Sequence, residues 1–105
     1  MPGIARLGDS VAGPYVANIT SCSGTTHADG IGVARVGDST FGTCPLDHSG
    51  AKGVQVYVGS GVIISGSGTT FADGSPVARI GDSVLPGCGH VSTIVSGSGT
   101  TFADS

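Results

Sequence analysis

The chain has 105 residues, the size of one small domain, with 20 glycines, no tryptophan and a net charge of −3. Only 10% of the residues are charged and the four cations are scattered, which excludes the basic surface that nucleic-acid binding requires. No apolar run approaches the roughly 20 residues of a membrane-spanning helix, and no signal peptide opens the chain, so synthesis in the cytoplasm is expected.

A seven-residue phrase, apolar-Ala-Arg-apolar-Gly-Asp-Ser, occurs three times, at residues 4–10, 33–39 and 77–83. A second phrase begins with Ser-Gly-Thr-Thr and follows each copy of the first; its copies span residues 23–30, 67–74 and 98–105. Such repetition predicts three copies of one structural unit, which must share a core because none could bury a face alone. We expect one domain over residues 1–105, with units of about 1–30, 31–74 and 75–105 around a pseudo-threefold axis.

Local signals predict strands and tight turns, and no window shows helical periodicity. Glycine or proline interrupts every stretch of a dozen residues, and most apolar residues are β-branched, which favours strands. Asp-Gly in the second phrase supplies the positive φ of a tight hairpin turn. Gly-Asp in the first phrase predicts another turn, with the Asp side chain capping local N–H groups. The predicted fold class is therefore all-β, a small fold of three repeated β-hairpin units.

The middle unit is longer than the other two by about 15 residues, because the Asp residues of the two phrases lie about 20, 35 and 22 positions apart in the three units. The added stretch contains Cys44, Asp47 and His48. The alternating apolar run at 54–58 follows and predicts an extra strand.

Cysteine and histidine recur at matched places. Cys44 and Cys88 each lie six positions after the Asp of their repeat, and His48 and His90 follow them closely. In a pseudo-symmetric fold such loops converge on one axis, and thiolate with imidazole is a ligand combination suited to zinc. The sequence predicts a metal site there, against the alternative that these are unrelated loop residues.

Two further positions break the repeat. His27 stands where the other units have Phe71 and Phe102, so it is either a core ring position or a ligand. Cys22 stands where the other units have glycine, and a small buried thiol is the expectation there.

No residue pattern indicates catalysis. The chain has no glutamate, no nucleophile elbow and no phosphate-binding loop. The alternative to a structural role is a small stand-alone zinc hydrolase or metal-binding module, with Asp47 as the general base. The three Arg-x-Gly-Asp sets are interpreted as ion pairs, in which each Arg fixes a corner of its unit.

The two alternating phrases resemble those of the PAAR-repeat proteins, and the resemblance covers residues 2–105. Only the copy at 76–79 keeps the first proline of the Pro-Ala-Ala-Arg tetrad, as Pro-Val-Ala-Arg. The resemblance implies a conical fold that caps and sharpens the trimeric β-helical spike of a type VI secretion system or a contractile phage tail, for piercing the target membrane. The implied partner is a VgrG-like or phage tail spike, bound by one copy per trimer, with transient membrane contact and room for non-covalently bound effectors.

The resemblance also implies one structural Zn²⁺ held by three histidines and a cysteine. Carried onto this chain, the ligand set is His27, His48, Cys88 and His90, with Cys44 as the alternative thiolate. It further implies export on the spike or on the virion tail tip. We expect no fused effector, since the repeats occupy the whole sequence.

Overall fold

The computed structural model of the chain describes residues 3–46, 55–87 and 89–103, and these residues contain strands and no helix. None of the described residues therefore belongs to a helix long and apolar enough to cross a membrane. The all-β prediction is confirmed. The ten strands, in chain order, are β1 (Ser10–Ala12), β2 (Val16–Ile19), β3 (His27–Ala28), β4 (Ile31–Gly32), β5 (Ser39–Leu46), β6 (Gln55–Ile63), β7 (Phe71–Ala72), β8 (Ser75–Pro76), β9 (Ser83–Pro86) and β10 (Ser92–Ile94).

Six strands close into an antiparallel barrel in the order β1-β10-β9-β6-β5-β2. Each unit supplies two neighbouring strands, and the units join through β2–β5, β6–β9 and β10–β1. Alternation along the strands turns β-branched residues such as Val11, Val84 and Ile94 inward, where they are fully buried. Closure leaves none of the six strands with an unpaired edge.

The middle unit dominates the length of the barrel. Its strands β5 and β6 have 8 and 9 residues, whereas the barrel strands of the other units have three or four. Residues 55–58 of the alternating run predicted as an extra strand are instead the first part of β6, so they lengthen a strand that the barrel already contains. Lengthening a hairpin requires no additional connection between strands. The pairing of β5 with β6 keeps one register from Ser39 opposite Val62 to Leu46 opposite Gln55. The molecule is accordingly elongated, 46 Å by 23 Å by 22 Å.

Small hairpins form a second layer, which we call the base. Two of them, β3–β4 and β7–β8, turn through Asp-Gly pairs whose φ angles are positive, 56° and 76° at Asp29 and Gly30 and 53° and 80° at Asp73 and Gly74. Positive φ at both central residues is the type I′ signature that the sequence predicts.

The third base hairpin is made by the two ends of the chain. Gly3 pairs with Phe102, and the amide of Ile4 donates to the carbonyl of Thr101 at 3.0 Å. The same 3.0 Å bond recurs where neighbouring units meet, from Val33 to Thr26 and from Val77 to Thr70. The predicted threefold repetition is thus present in the backbone hydrogen bonds.

Three alanines meet between the base and the barrel. The amide of Ala5 donates to the carbonyl of Ala78, Ala34 donates to Ala5 and Ala78 donates to Ala34, each at 2.9 Å. All three alanines are fully buried. The closed ring of hydrogen bonds between them leaves little space for a larger side chain, which explains why alanine recurs in the first phrase.

His27 lies at the surface, so the interpretation of this position as a core ring position is wrong. Phe71 and Phe102, which hold the same place, are 55% and 45% exposed, and His27 is exposed as well. The following alanine in each unit points inward and is buried, since neighbouring residues of a strand face opposite ways. The ring position is therefore not part of the core.

Cys22 is half-buried and free, so the prediction of a buried thiol is also corrected. A Cβ placed on Gly32 would lie 2.5 Å from its sulfur. In the middle unit the arrangement is reversed, because a Cβ on Gly66 would lie 3.1 Å from the Cβ of Pro76. One partner in each of these two contacts is glycine, because a Cβ there would come too close to the side chain of the other partner.

Candidate docking face and metal centre

Each Arg-x-Gly-Asp set forms a closed corner turn. In the first, the amide of Asp9 donates to the carbonyl of Arg6 at 3.0 Å, and Gly8 between them has a φ of 88°. The Asp9 carboxylate accepts hydrogen bonds from the backbone amide of Arg6 at 2.7 Å and from its guanidinium Nε at 3.0 Å. The other two corners repeat this geometry; they are formed by Arg35 with Asp38 and by Arg79 with Asp82. The interpretation of these sets as structural ion pairs is confirmed.

The turn aspartates of the base link neighbouring units. Asp29 in the first unit accepts hydrogen bonds from the hydroxyls of Ser98 and Thr100 in the third, and from Nη1 of Arg6 at 3.0 Å. Asp73 does the same one unit further on, with Ser23, Thr25 and Arg35. The sequence indicated these aspartates only as turn formers. The recurrence of Ser-x-Thr ahead of every Ala-Asp is the signal for this second role.

These contacts lower the pKa values of three carboxyl groups. Hydroxyl donors, chiefly Ser98 for Asp29 and Ser23 for Asp73, hold the pKa of each below its ordinary value of 3.8, and the neighbouring arginine acts in the same direction. Burial works to raise the pKa of Asp38, but hydrogen bonds from Arg35 and Ser21 outweigh it, so that the net shift is also downward.

We expect acid to destabilise the protein below about pH 3.8, the ordinary value of these carboxyls. As the pH falls, the carboxyls of the unfolded chain take up protons before those of the folded chain, so each step of acidification favours unfolding. Urea unfolding of metal-free protein between pH 6 and pH 2 measures this slope. The double variant Asp29→Asn, Asp73→Asn should be less stable at neutral pH and show a flatter slope. An equally steep slope in that variant would mean that carboxyl groups other than those of Asp29 and Asp73 cause the loss of stability in acid.

The outer surface of the base carries exposed apolar side chains at repeated positions. Phe71 and Phe102 are equivalent and about half exposed, and Ile31 on β4, in another hairpin of the base, is 38% exposed. His27 replaces the third ring. We call the surface formed by these four residues the docking face; its aromatic and aliphatic groups are of the kind found at protein interfaces.

Cys44 and His90 come together at the barrel. Cys44 lies on β5 and is fully buried, and its Sγ is 3.2 Å from Nδ1 of His90. Tetrahedral zinc with one thiolate and one imidazole ligand separates the two donor atoms by about 3.6 Å, given bond lengths of roughly 2.3 and 2.1 Å. The donor types therefore fit the metal, and the observed separation is shorter than a tetrahedral site requires. Cys44 takes part in a disulfide in this structure, however, and only a reduced cysteine offers a thiolate.

His90 is held in place through its backbone. Its carbonyl accepts a hydrogen bond from the hydroxyl of Ser92 at 3.1 Å, and the same hydroxyl accepts one from the amide of Tyr15 at 3.0 Å. Both Ser92 and Tyr15 are buried. The barrel wall thus fixes the loop that presents the imidazole to the sulfur.

The other predicted ligands are not brought to this pair. His48 and Cys88 lie outside the described residues. His27 lies on β3 in the base, paired with Gly32. Within residues 3–46, 55–87 and 89–103, no three His, Cys, Asp or Glu side chains lie close enough to hold a metal ion, so His27 does not join Cys44 and His90. Its role as a ligand stays a prediction.

Comparison with curated proteins finds no match. Comparison with protein families finds the PAAR motif, matched twice in overlapping stretches, at residues 15–88 and 58–105. Together the two matches cover most of the sequence, and they include the second and third copies of the first phrase and all three copies of the second. The chain belongs to the PAAR motif family.

Proposed function

We propose that this protein is the tip that caps and sharpens the trimeric β-helical spike of a contractile injection machine, with one copy bound per trimer. Membership of a family of structural spike-tip proteins supports this role in general. The observation that carries the finer proposal is the internal threefold repetition of the base, since it lets one chain meet a threefold partner through three near-equivalent contacts.

The docking face is the surface we assign to the spike. Its exposed rings at Phe71 and Phe102 repeat with the unit, as a threefold partner requires. The longest strands, β5 and β6, belong to the barrel, so the elongated part of the molecule is free to point away from the spike. In this role the protein is made in the cytoplasm, leaves with the spike and contacts the target membrane transiently.

A structural zinc completes the proposal. We assign His90 and His48 as ligands, with the thiolate supplied by Cys88 or by Cys44; His27 lies in the base, away from Cys44 and His90, and its place in the set is implied only by the family resemblance. When bound, the metal cross-links loops from different units; a zinc with four protein ligands has no open position for hydrolysis. A measurement of coordination number separates this structural role from that of a small zinc hydrolase.

The spike assignment is tested by mixing the full chain with a candidate spike trimer and measuring the mass of the complex by light scattering. We expect one chain per trimer. The variant Phe71→Asp, Phe102→Asp should lose binding, because it places charge on the docking face. The matched control is Phe41→Asp, since Phe41 lies on the barrel and is 54% exposed, as Phe71 is 55%. Another stoichiometry, or equal loss in the control, would contradict the docking assignment.

A further inference from the structure

The hairpins that carry the docking face are too short to fix the orientation of its rings by themselves. The ring-bearing strands β3 and β7 have two residues each, and an isolated two-stranded hairpin is marginally stable in water. In β7 one of the two residues is Phe71, whose ring is 55% exposed, and the other is Ala72, which buries only a methyl group. The orientation of the ring therefore depends on contacts outside the hairpin.

The turn of the hairpin supplies such contacts. The Phe71 hairpin turns at Asp73, whose carboxylate accepts hydrogen bonds from the hydroxyls of Ser23 and of Thr25, the latter at 2.6 Å, both in the first unit. The same carboxylate accepts one from Nη1 of Arg35 at 3.0 Å. The donors are themselves held, because the hydroxyl of Ser23 accepts a hydrogen bond from the amide of Thr25 at 3.2 Å. Hydrogen bonds to a carboxylate are stronger than neutral ones, so three donors fix the turn two residues after the ring.

The hairpin of the first unit is held in the same way. Its turn residue, Asp29, accepts hydrogen bonds from the hydroxyls of Ser98 at 2.6 Å and of Thr100, and from Nη1 of Arg6 at 3.0 Å. Ser98 and Thr100 lie just ahead of Phe102, the next ring of the docking face. The segment that leads into one ring thus holds the turn that follows another ring, so the contacts link ring-bearing segments of different units.

We propose that Asp29 and Asp73 are positioning residues of the docking face: each holds its hairpin in the orientation in which the exposed ring meets the spike. The inference deepens the proposed function and rests on the docking face assigned there. A surface that is already ordered binds more tightly, because a hairpin that becomes ordered only on binding loses conformational entropy at that step. Removal of either carboxylate transfers that loss to the binding reaction.

Fluorine NMR tests the positioning without a partner. The chain has three phenylalanines, so labelling with fluorophenylalanine gives three signals, and Phe41 on the barrel serves as the internal reference. In Asp73→Asn we expect the Phe71 signal to shift and to show faster local motion, while the Phe41 signal stays unchanged. Asparagine tolerates the φ of 53° at this position, so the substitution removes the charge and keeps the turn.

The matched control is Asp82→Asn. Asp82 also accepts hydrogen bonds from an arginine and a serine, but it lies at the corner of the third unit and not in a turn of the base. This variant should leave the Phe71 signal as it is in the wild type, even where it lowers stability. If Asp73→Asn does not fold, Thr25→Val, which removes one donor and keeps the carboxylate, carries the same NMR test.

Affinity for a trimeric β-helical spike then measures the consequence for docking. We expect Asp73→Asn to bind about tenfold more weakly than the wild type, and Asp82→Asn to bind equally well. Thr25→Val should weaken binding less, and it should add nothing to the loss in Asp73→Asn, because the two substitutions remove the same hydrogen bond.

The proposal is overturned if Phe71 keeps its signal and mobility in Asp73→Asn, or if the losses of affinity in Thr25→Val and Asp73→Asn simply add. A wild-type chain that binds no spike contradicts the proposed function instead. In that case the fluorine spectra alone decide whether the turn aspartates position the rings.

Discussion

Replacement of His90 by alanine is expected to lower bound zinc below one equivalent per chain and the Tm of the reduced protein by more than about 10 degrees. A structural zinc contributes on the order of 10 kcal/mol to apparent folding free energy, against a net stability of about 5–15 kcal/mol for an ordinary domain. The hydroxyl of Ser92 donates a hydrogen bond to the backbone carbonyl of His90, so removal of the imidazole leaves this attachment of the loop to the barrel in place. Thermal melts and metal analysis of the variant measure both effects.

One control and one further variant make this result specific. Cys22→Ala should leave both zinc and Tm nearly unchanged, because Cys22 is a free thiol outside the matched pair. His27→Ala tests the remaining ligand of the predicted set: loss of zinc in this variant identifies His27 as a ligand. If zinc-free protein melts at the same temperature as the loaded protein, the metal contributes nothing to the stability of the fold.

Replacement of Tyr15 by alanine is expected to cost about 3–5 kcal/mol of unfolding free energy, as for other large rings removed from a core. Tyr15 is fully buried, and its side chain is the largest of the fully buried side chains in the described residues. For a domain of this size the cost corresponds to a fall in Tm of more than about 12 degrees. Urea unfolding of the two proteins under identical redox conditions measures the difference.

Tyr15→Phe separates the ring from its hydroxyl. That hydroxyl lies 3.1 Å from Oγ1 of Thr40 and donates to the carbonyl of Gly59 at 2.9 Å. Its removal leaves buried Thr40 with one partner fewer, so a smaller loss of about 1–3 kcal/mol is expected. A variant as stable as the wild type would mean that water or a rearranged Thr40 replaces the hydroxyl.

The sequence was sufficient for those features of the fold that depend on local chemistry. Asp29-Gly30 and the corner at Arg6 to Asp9 need particular φ angles and short-range hydrogen bonds, which the residue types disclose by themselves. Because the phrases occur three times, each local prediction applied to three places in the chain. The all-β class and the pseudo-threefold arrangement both followed from it.

The features that the sequence did not predict depend on which side chains of a strand point inward and on which strand pairs with it. An aromatic ring at position 71 suggested a core, but the strand has only two residues, and the alanine beside it takes the inward place. The run at 54–58 looked like a separate strand because its partner, β5, was not recognisable as the other half of one long hairpin. At the metal centre, the matched spacing of Cys44 and Cys88 was visible, but the contact of Cys44 with His90 needs the folded barrel.

The pairing of the first barrel strand with the last has a consequence for the order of folding during synthesis. Val11 on β1 pairs with Ile94 on β10, so the barrel cannot close until residue 94 has left the ribosome. At about 5–20 residues per second, the first strand waits at least roughly 4 seconds for its partner. Contacts between such distant residues also slow the closing step itself. Throughout that interval one edge of β1 is open to other chains, so nascent copies are exposed to misassembly until β10 has been made.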